Sequence, residues 1–167
     1  MELLKENTSN GFIKHKTEFK VKEDRDNYYF DFVAFDSSLF SAGNNYNDDI
    51  FDGCVCEVFI FYGKENHYYE IEVAPNGTIF LADIENINSS TKINYINSCF
   101  IKAKAVINEN NYLVNITFPK EKIYTKSPLF NAFRIEMENQ EQYLYALNPT
   151  LCNSFHQPEY FIELKVN

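Results

Sequence analysis

The chain has 167 residues, suited to one domain with an ordinary core, and its 15 Lys+Arg against 24 Asp+Glu leave a net charge of −9. That excess repels a phosphate backbone and an anionic bilayer surface, so neither nucleic acid nor membrane is expected as a partner, and no apolar run approaches a bilayer span. Aromatic residues reach 17%, as 16 Phe and 12 Tyr with no Trp, and such side chains fit pleated, half-buried surface.

The predicted elements are strands throughout, because apolar residues recur with period two. Tyr28, Phe30, Phe32 and Ala34 share one face of an early strand whose other face carries Asp31. Residues 36–53 are irregular and rich in Asn, Asp and Ser, which makes them a candidate functional loop. A very apolar strand follows, in which Glu57 is flanked by Val55, Val58, Phe59 and Phe61. Tyr69, Ile71 and Val73 then alternate with Tyr68, Glu70 and Glu72. Asn76-Gly77 supplies the positive φ of a tight hairpin turn, and 79–84 is the return strand. Ile101, Ala103, Ala105 and Ile107 predict the next strand, turned at 108–111 into Tyr112, Val114, Ile116 and Phe118. After a second irregular stretch, 119–128, Phe133, Ile135 and Met137 face one way and Arg134, Glu136 and Glu138 the other, before a turn at 139–141 and a strand over 142–147. Tyr160, Ile162, Leu164 and Val166 predict a last strand. Many short strands joined by Asn-rich turns point to one all-β domain over 1–167, a two-sheet antiparallel β-sandwich of jelly-roll or immunoglobulin-like kind.

Four pieces in fixed order, spread from Phe51 to Leu164, carry a family resemblance. They are Asp52 to Ile60 with its Val-Cys-Glu-Val-Phe-Ile, Tyr-Tyr-Glu-Ile-Glu-Val-Ala-Pro-Asn-Gly at 68–77, Asn-Ala-Phe-Arg-Ile-Glu at 131–136, and 143–161 with Tyr-Leu-Tyr-Ala-Leu-Asn-Pro-Thr and Phe-His-Gln-Pro. Together they resemble family 9 carbohydrate-binding modules and their DOMON-like relatives. The resemblance implies a β-sandwich that binds a saccharide without catalysis, with a link to carbohydrate catabolism. Aromatic rings would grip a sugar unit while Arg, Glu and Asn hydrogen-bond its hydroxyls. The sequence departs from the family in one respect: the paired tryptophans of the sugar clamp are absent. Phe51 stands near the place of one ring, and Tyr145 or Phe155 is the candidate for the other; a phenyl or phenol ring stacks with less area than an indole.

The candidate saccharide contacts are Phe51, Glu57, Asn131, Arg134, Tyr145, Asn148 and His156. Glu57 is costly to bury alone, and Arg134 is the cation expected to meet it; a structural ion pair between strands is the competing account. Asn131 and Asn148 offer two-way hydrogen bonding to hydroxyls, although Asn148-Pro149 also reads as a turn. His156 either points into the site or anchors its loop. Asp48, Asp49 and Asp52, with Asn45 and Asn47, form an oxygen-rich loop where calcium competes with simple solvation; as an EF-hand it fails, since Ile50 and Cys56 fall where Gly and Glu are needed. No other cofactor is expected. Cys54, Cys56, Cys99 and Cys152 read as reduced, buried small hydrophobes, and without a visible secretory signal the expected compartment is the cytoplasm. Haem would have to use His15, His67, His156, Met1 or Met137, and Met137 reads better as core. No catalytic motif is present, since Glu57 has no second carboxylate singled out by spacing. A protein-interaction or structural domain that kept the fold and lost the sugar site is the alternative.

Overall fold

The computed structural model describes residues 1–8, 11, 13–36, 39–88 and 90–166, so positions 37 and 38 of the predicted loop lie outside the described residues. Its strands are β1 (Glu2–Leu3), β2 (Lys5–Glu6), β3 (Thr17–Glu23), β4 (Asn27–Phe35), β5 (Val55–Phe61), β6 (His67–Val73), β7 (Ile79–Ile87), β8 (Ser90–Tyr95), β9 (Lys102–Ile107), β10 (Asn111–Pro119), β11 (Leu129–Glu138), β12 (Glu141–Ala146) and β13 (Ile162–Glu163). One sheet runs β1-β3-β4-β10-β9 and the other β2-β12-β11-β5-β6-β7-β8, with β13 beside β11. All pairings are antiparallel, and the two sheets form the expected β-sandwich. Among the described residues, no helix is long and apolar enough to cross a membrane.

The main core lies between the sheets. Phe19, Phe30, Phe32, Tyr112, Val114, Ile116 and Phe118 of the first sheet meet Cys56, Val58, Ile60, Ile71, Leu81 and Phe130 of the second. The outward face of the first sheet is solvated, as the alternation of Lys20, Lys22 and Asp31 requires. The second sheet behaves differently. Its outward face carries another apolar cluster, including Val55, Phe59, Tyr68, Phe80, Phe133 and Ile135, and is roofed by Ile50, Phe155 and Phe161 from two loops. Strands β5, β6 and β11 are therefore buried on both faces, unlike the half-buried strands that period-two alternation usually marks.

Three local expectations are corrected. The β6–β7 connection has a longer loop than a two-residue turn. Gly77 N–H donates to the Ala74 carbonyl, Ala74 N–H donates to Thr78, and only Gly77 takes a positive φ, 87°. That is the geometry of a type I turn closed by a glycine bulge. The predicted final strand shrinks to the two residues of β13, because Pro158–Tyr160 forms a 3-10 turn and Phe161 is drawn under the outer face. Cys54 and Cys56 are buried and free as expected, but Cys99 is exposed and Cys152 only half-buried. Strands β3 and β8 were not foreseen; β8 is an exposed edge strand with little apolar pattern to announce it.

Candidate functional site

Antiparallel register decides which side chains meet. Glu57 on β5 stands opposite Glu72 on β6 and opposite Phe133 on β11, while Arg134 pairs with Cys56. Odd positions of β5 face outward, and Arg134 faces inward. The acid and the guanidinium thus lie on opposite faces of the same sheet. The expectation that they converge is overturned.

Arg134 is fully buried between the sheets. It donates to Thr17 Oγ1 at 2.8 Å, the Phe35 carbonyl at 3.1 Å and Asp36 Oδ2 at 2.7 Å, with Glu136 Oε2 at 3.6 Å. Its guanidinium lies over the Tyr112 and Tyr145 rings, at 5.7 and 5.6 Å from their centroids. Tyr145 belongs to the same network, donating to Glu136 at 2.9 Å, and is 1% exposed. Neither residue faces solvent. Arg134 is a clamp between sheets, with Tyr145 bracing Glu136 within its own sheet, and the physical reason is charge: Asp36 and Glu136 can sit in the core only beside a cation that satisfies them.

Asn131 and Asn148 also have a structural task. Asn131 Nδ2 donates to the Asn148 carbonyl at 2.8 Å, its Oδ1 accepts from the Asn148 amide at 3.0 Å, and Asn148 Nδ2 donates to the Tyr160 carbonyl at 2.8 Å. These bonds fasten both ends of the segment that covers the outer face. Asn7, whose role had no sequence signal, fastens its middle through Thr150 and Cys152, each contact 2.8 Å long.

What that segment roofs is an open hollow of about 240 Å³, lined by Phe51, Glu57, Phe59, Glu70, Glu72, Phe80, Ile93, Ile135, Asn153, Ser154, Phe155 and His156. Phe51, Glu57 and His156 are therefore brought together as the sequence suggested, and of the two further candidate rings Phe155 lines the hollow and Tyr145 does not. Phe155 stacks on Phe133 with centroids 4.2 Å apart. Phe51 sits 36% exposed on a 3-10 turn spanning Ile50–Asp52. His156 stacks on Phe59 at 5.3 Å, shares a 2.7 Å hydrogen bond with Tyr68 OH, and lies 3.9 Å from Glu70. Burial holds its imidazole below the ordinary value, so it contributes no positive charge near neutral pH.

The floor of the hollow was missed. Glu57, Glu70 and Glu72 are 2%, 5% and 1% exposed, and each offers a carboxylate oxygen within 4.8 Å of the others. Burial and then mutual repulsion push Glu57 and Glu72 well above the usual carboxylate range, and burial raises Glu70 to about 7. The signal was present as Glu-x-Glu on one face of a strand paired with the strand of Glu57. Alternation separates Glu70 and Glu72 from Ile71 and Val73 without saying what covers their face.

The oxygen-rich loop is organised differently. Asp48 Oδ2 accepts from the Asn44 and Asn45 amides, both at 2.9 Å, and so shapes the loop itself. Asp49 and Asp52 are exposed, and the charge of Asp49 reaches Glu72. His15 contacts Glu136 and His67 bonds Asp83 at 2.9 Å, so the histidines are dispersed.

No family model and no curated protein matches the chain. Solved structures do. A Bacteroides uniformis protein described as carbohydrate-binding superposes with a TM-score of 0.78 at 13% identity, over 100% of this chain and 87% of that one. The chain has the fold of a family 9 carbohydrate-binding module. A module of that family from Caldicellulosiruptor kristjanssonii superposes with a TM-score of 0.70 in both its glucose and its cellotriose complexes. Identities there are 14% and 13%, with 98% and 99% of this chain covered and 83% and 82% of the module. At such identities the likeness is one of architecture. In this family 9-like sandwich the hollow lies on the outward face of the larger sheet, and the guanidinium lies between the sheets.

Proposed function

We propose that this protein binds a saccharide without catalysis, in the hollow on the outward face of the larger sheet. The observation that carries the reading is the convergence of buried carboxylates and aromatic rings on one solvent-reachable depression, in a fold whose Caldicellulosiruptor module is a glucose- and cellotriose-bound structure. Glu57, Glu70 and Glu72 offer carboxyl groups to hydroxyls, accepting hydrogen bonds through their oxygens and donating one where protonated. Phe51 and Phe155 present flat apolar surface to the C–H face of a sugar ring. The hollow, at about 240 Å³, falls below the range of about 300–1,000 Å³ typical of larger ligands, which favours a single sugar unit or a chain end.

Calorimetric titration with glucose, cellotriose and a panel of other mono- and oligosaccharides tests this. Binding is expected for at least one sugar, with Phe51→Ala and Glu57→Gln each weakening it about tenfold or more. Silence across the panel would overturn the reading and leave a domain that kept only the fold.

A further inference from the structure

We propose that the floor of this hollow is a binding site for a divalent cation of the hard, oxygen-seeking class, best matched by calcium, with Glu57, Glu70 and Glu72 as its protein ligands. The inference does not rest on saccharide binding. Each of the three side chains is at least nine-tenths buried. Glu57 Oε1 and Glu72 Oε2 have no hydrogen-bond partner, so two acceptors are aimed into the cluster with nothing to satisfy them. Among the described residues, those lining the hollow include no Lys or Arg. Ionising the three buried carboxylates together is unfavourable by several kcal/mol per ion unless a cation lies among them. A bound cation supplies the compensation.

Donor type selects the ion, and the spacing admits it. Three oxygens no more than 4.8 Å apart have a common centre no farther than about 2.8 Å from each, within a few tenths of an ångström of calcium–oxygen distances of about 2.3–2.6 Å. An all-carboxylate set suits calcium rather than zinc or copper, which prefer nitrogen and sulfur. Carboxylates bound by two oxygens, and water entering from the open side, complete a shell of six to eight. Asp49 adds a further negative charge within reach of Glu72.

The test uses the full chain, dialysed against EDTA and returned to chelator-free buffer. Calcium chloride is followed by calorimetry and thermal melting, and terbium by tyrosine-sensitised luminescence. Calcium at a hundredfold excess over its dissociation constant is expected to raise Tm by about 5–10 °C. The double variant Glu57→Gln/Glu72→Gln should lose that shift and the luminescence, yet melt no lower than wild type in EDTA, because repulsion has been removed. Asp48→Asn, in the separate oxygen-rich loop, should keep both. An unchanged wild-type Tm with millimolar calcium and no terbium signal overturns the proposal. So does an undiminished response in the double variant, or a shift produced by methylammonium but not by calcium.

Discussion

Arg134→Met is the most decisive single perturbation of the fold, and its cost can be worked from the contacts. The substitution keeps an unbranched side chain of comparable length but removes the donors to Thr17, Phe35 and Asp36. Asp36 and Glu136, whose side chains are 0% exposed, are left without their arginine. Breaking one partner of a buried charge pair costs about 3–5 kcal/mol. The two aromatic faces add about 0.5–1 kcal/mol each. Part of this is recovered because Met fills the space, which leaves an expected loss of about 4 kcal/mol, a large share of the 5–15 kcal/mol typical of a domain. Urea unfolding followed by far-ultraviolet circular dichroism measures it. With an m-value of about 2 kcal/mol/M, the midpoint falls by about 2 M. The same variant, where folded, should keep wild-type saccharide affinity, since Arg134 lies on the face away from the hollow. A midpoint shift below about 0.5 M, or a saccharide affinity lost while the fold is intact, would refute the assignment of Arg134 as an inter-sheet clamp.

Glu70 should make the EDTA-treated protein less stable as pH rises. Its folded carboxyl is pushed from 4.5 to about 7, so the destabilisation is absent below 4.5, grows through that window and reaches about 3 kcal/mol above it. Glu70→Gln should remove the Glu70 share of this slope and leave that of Glu57 and Glu72, and a wild-type and variant difference constant from pH 4.5 to 8 would count against it. Native alkylation at pH 8 should modify Cys99 readily and Cys152 slowly, but spare Cys54 and Cys56, whose thiols burial pushes up to about 11 and about 12. Mass spectrometry of the labelled peptides checks this, and early labelling of Cys56 would contradict the packing. Asn131→Ala should cost about 2–3 kcal/mol and speed amide exchange across 150–157, because it releases the segment carrying Phe155 and His156 over the hollow. Exchange confined to the mutated strand would show that the amide does not fasten that segment.

Much of the strand pattern was legible because burial against one partner sheet leaves a period-two trace, as in Phe30-Asp31-Phe32 and in Tyr112, Val114, Ile116 and Phe118. The family resemblance, carried by pieces such as Asn-Ala-Phe-Arg-Ile-Glu, led to the right architecture. The same route singled out Phe51, Glu57 and His156, which line one hollow; a carboxylate in an apolar strand and a ring six positions before it are visible in one line of text. Glu70 and Glu72 were read only as the polar half of an alternation, and Arg134 was assigned to the wrong company.

The division has one physical cause. The chain by itself determines which side chains share a face of a strand, because the pleat alternates them without reference to anything else. Only the tertiary structure decides what each face meets: in β11 the Arg134 face closes on another sheet, while the Phe133 face lies under a loop fastened by Asn131, Asn148 and Asn7. With both faces covered, a polar residue no longer marks the solvent side, and three glutamates can converge where alternation alone would place water.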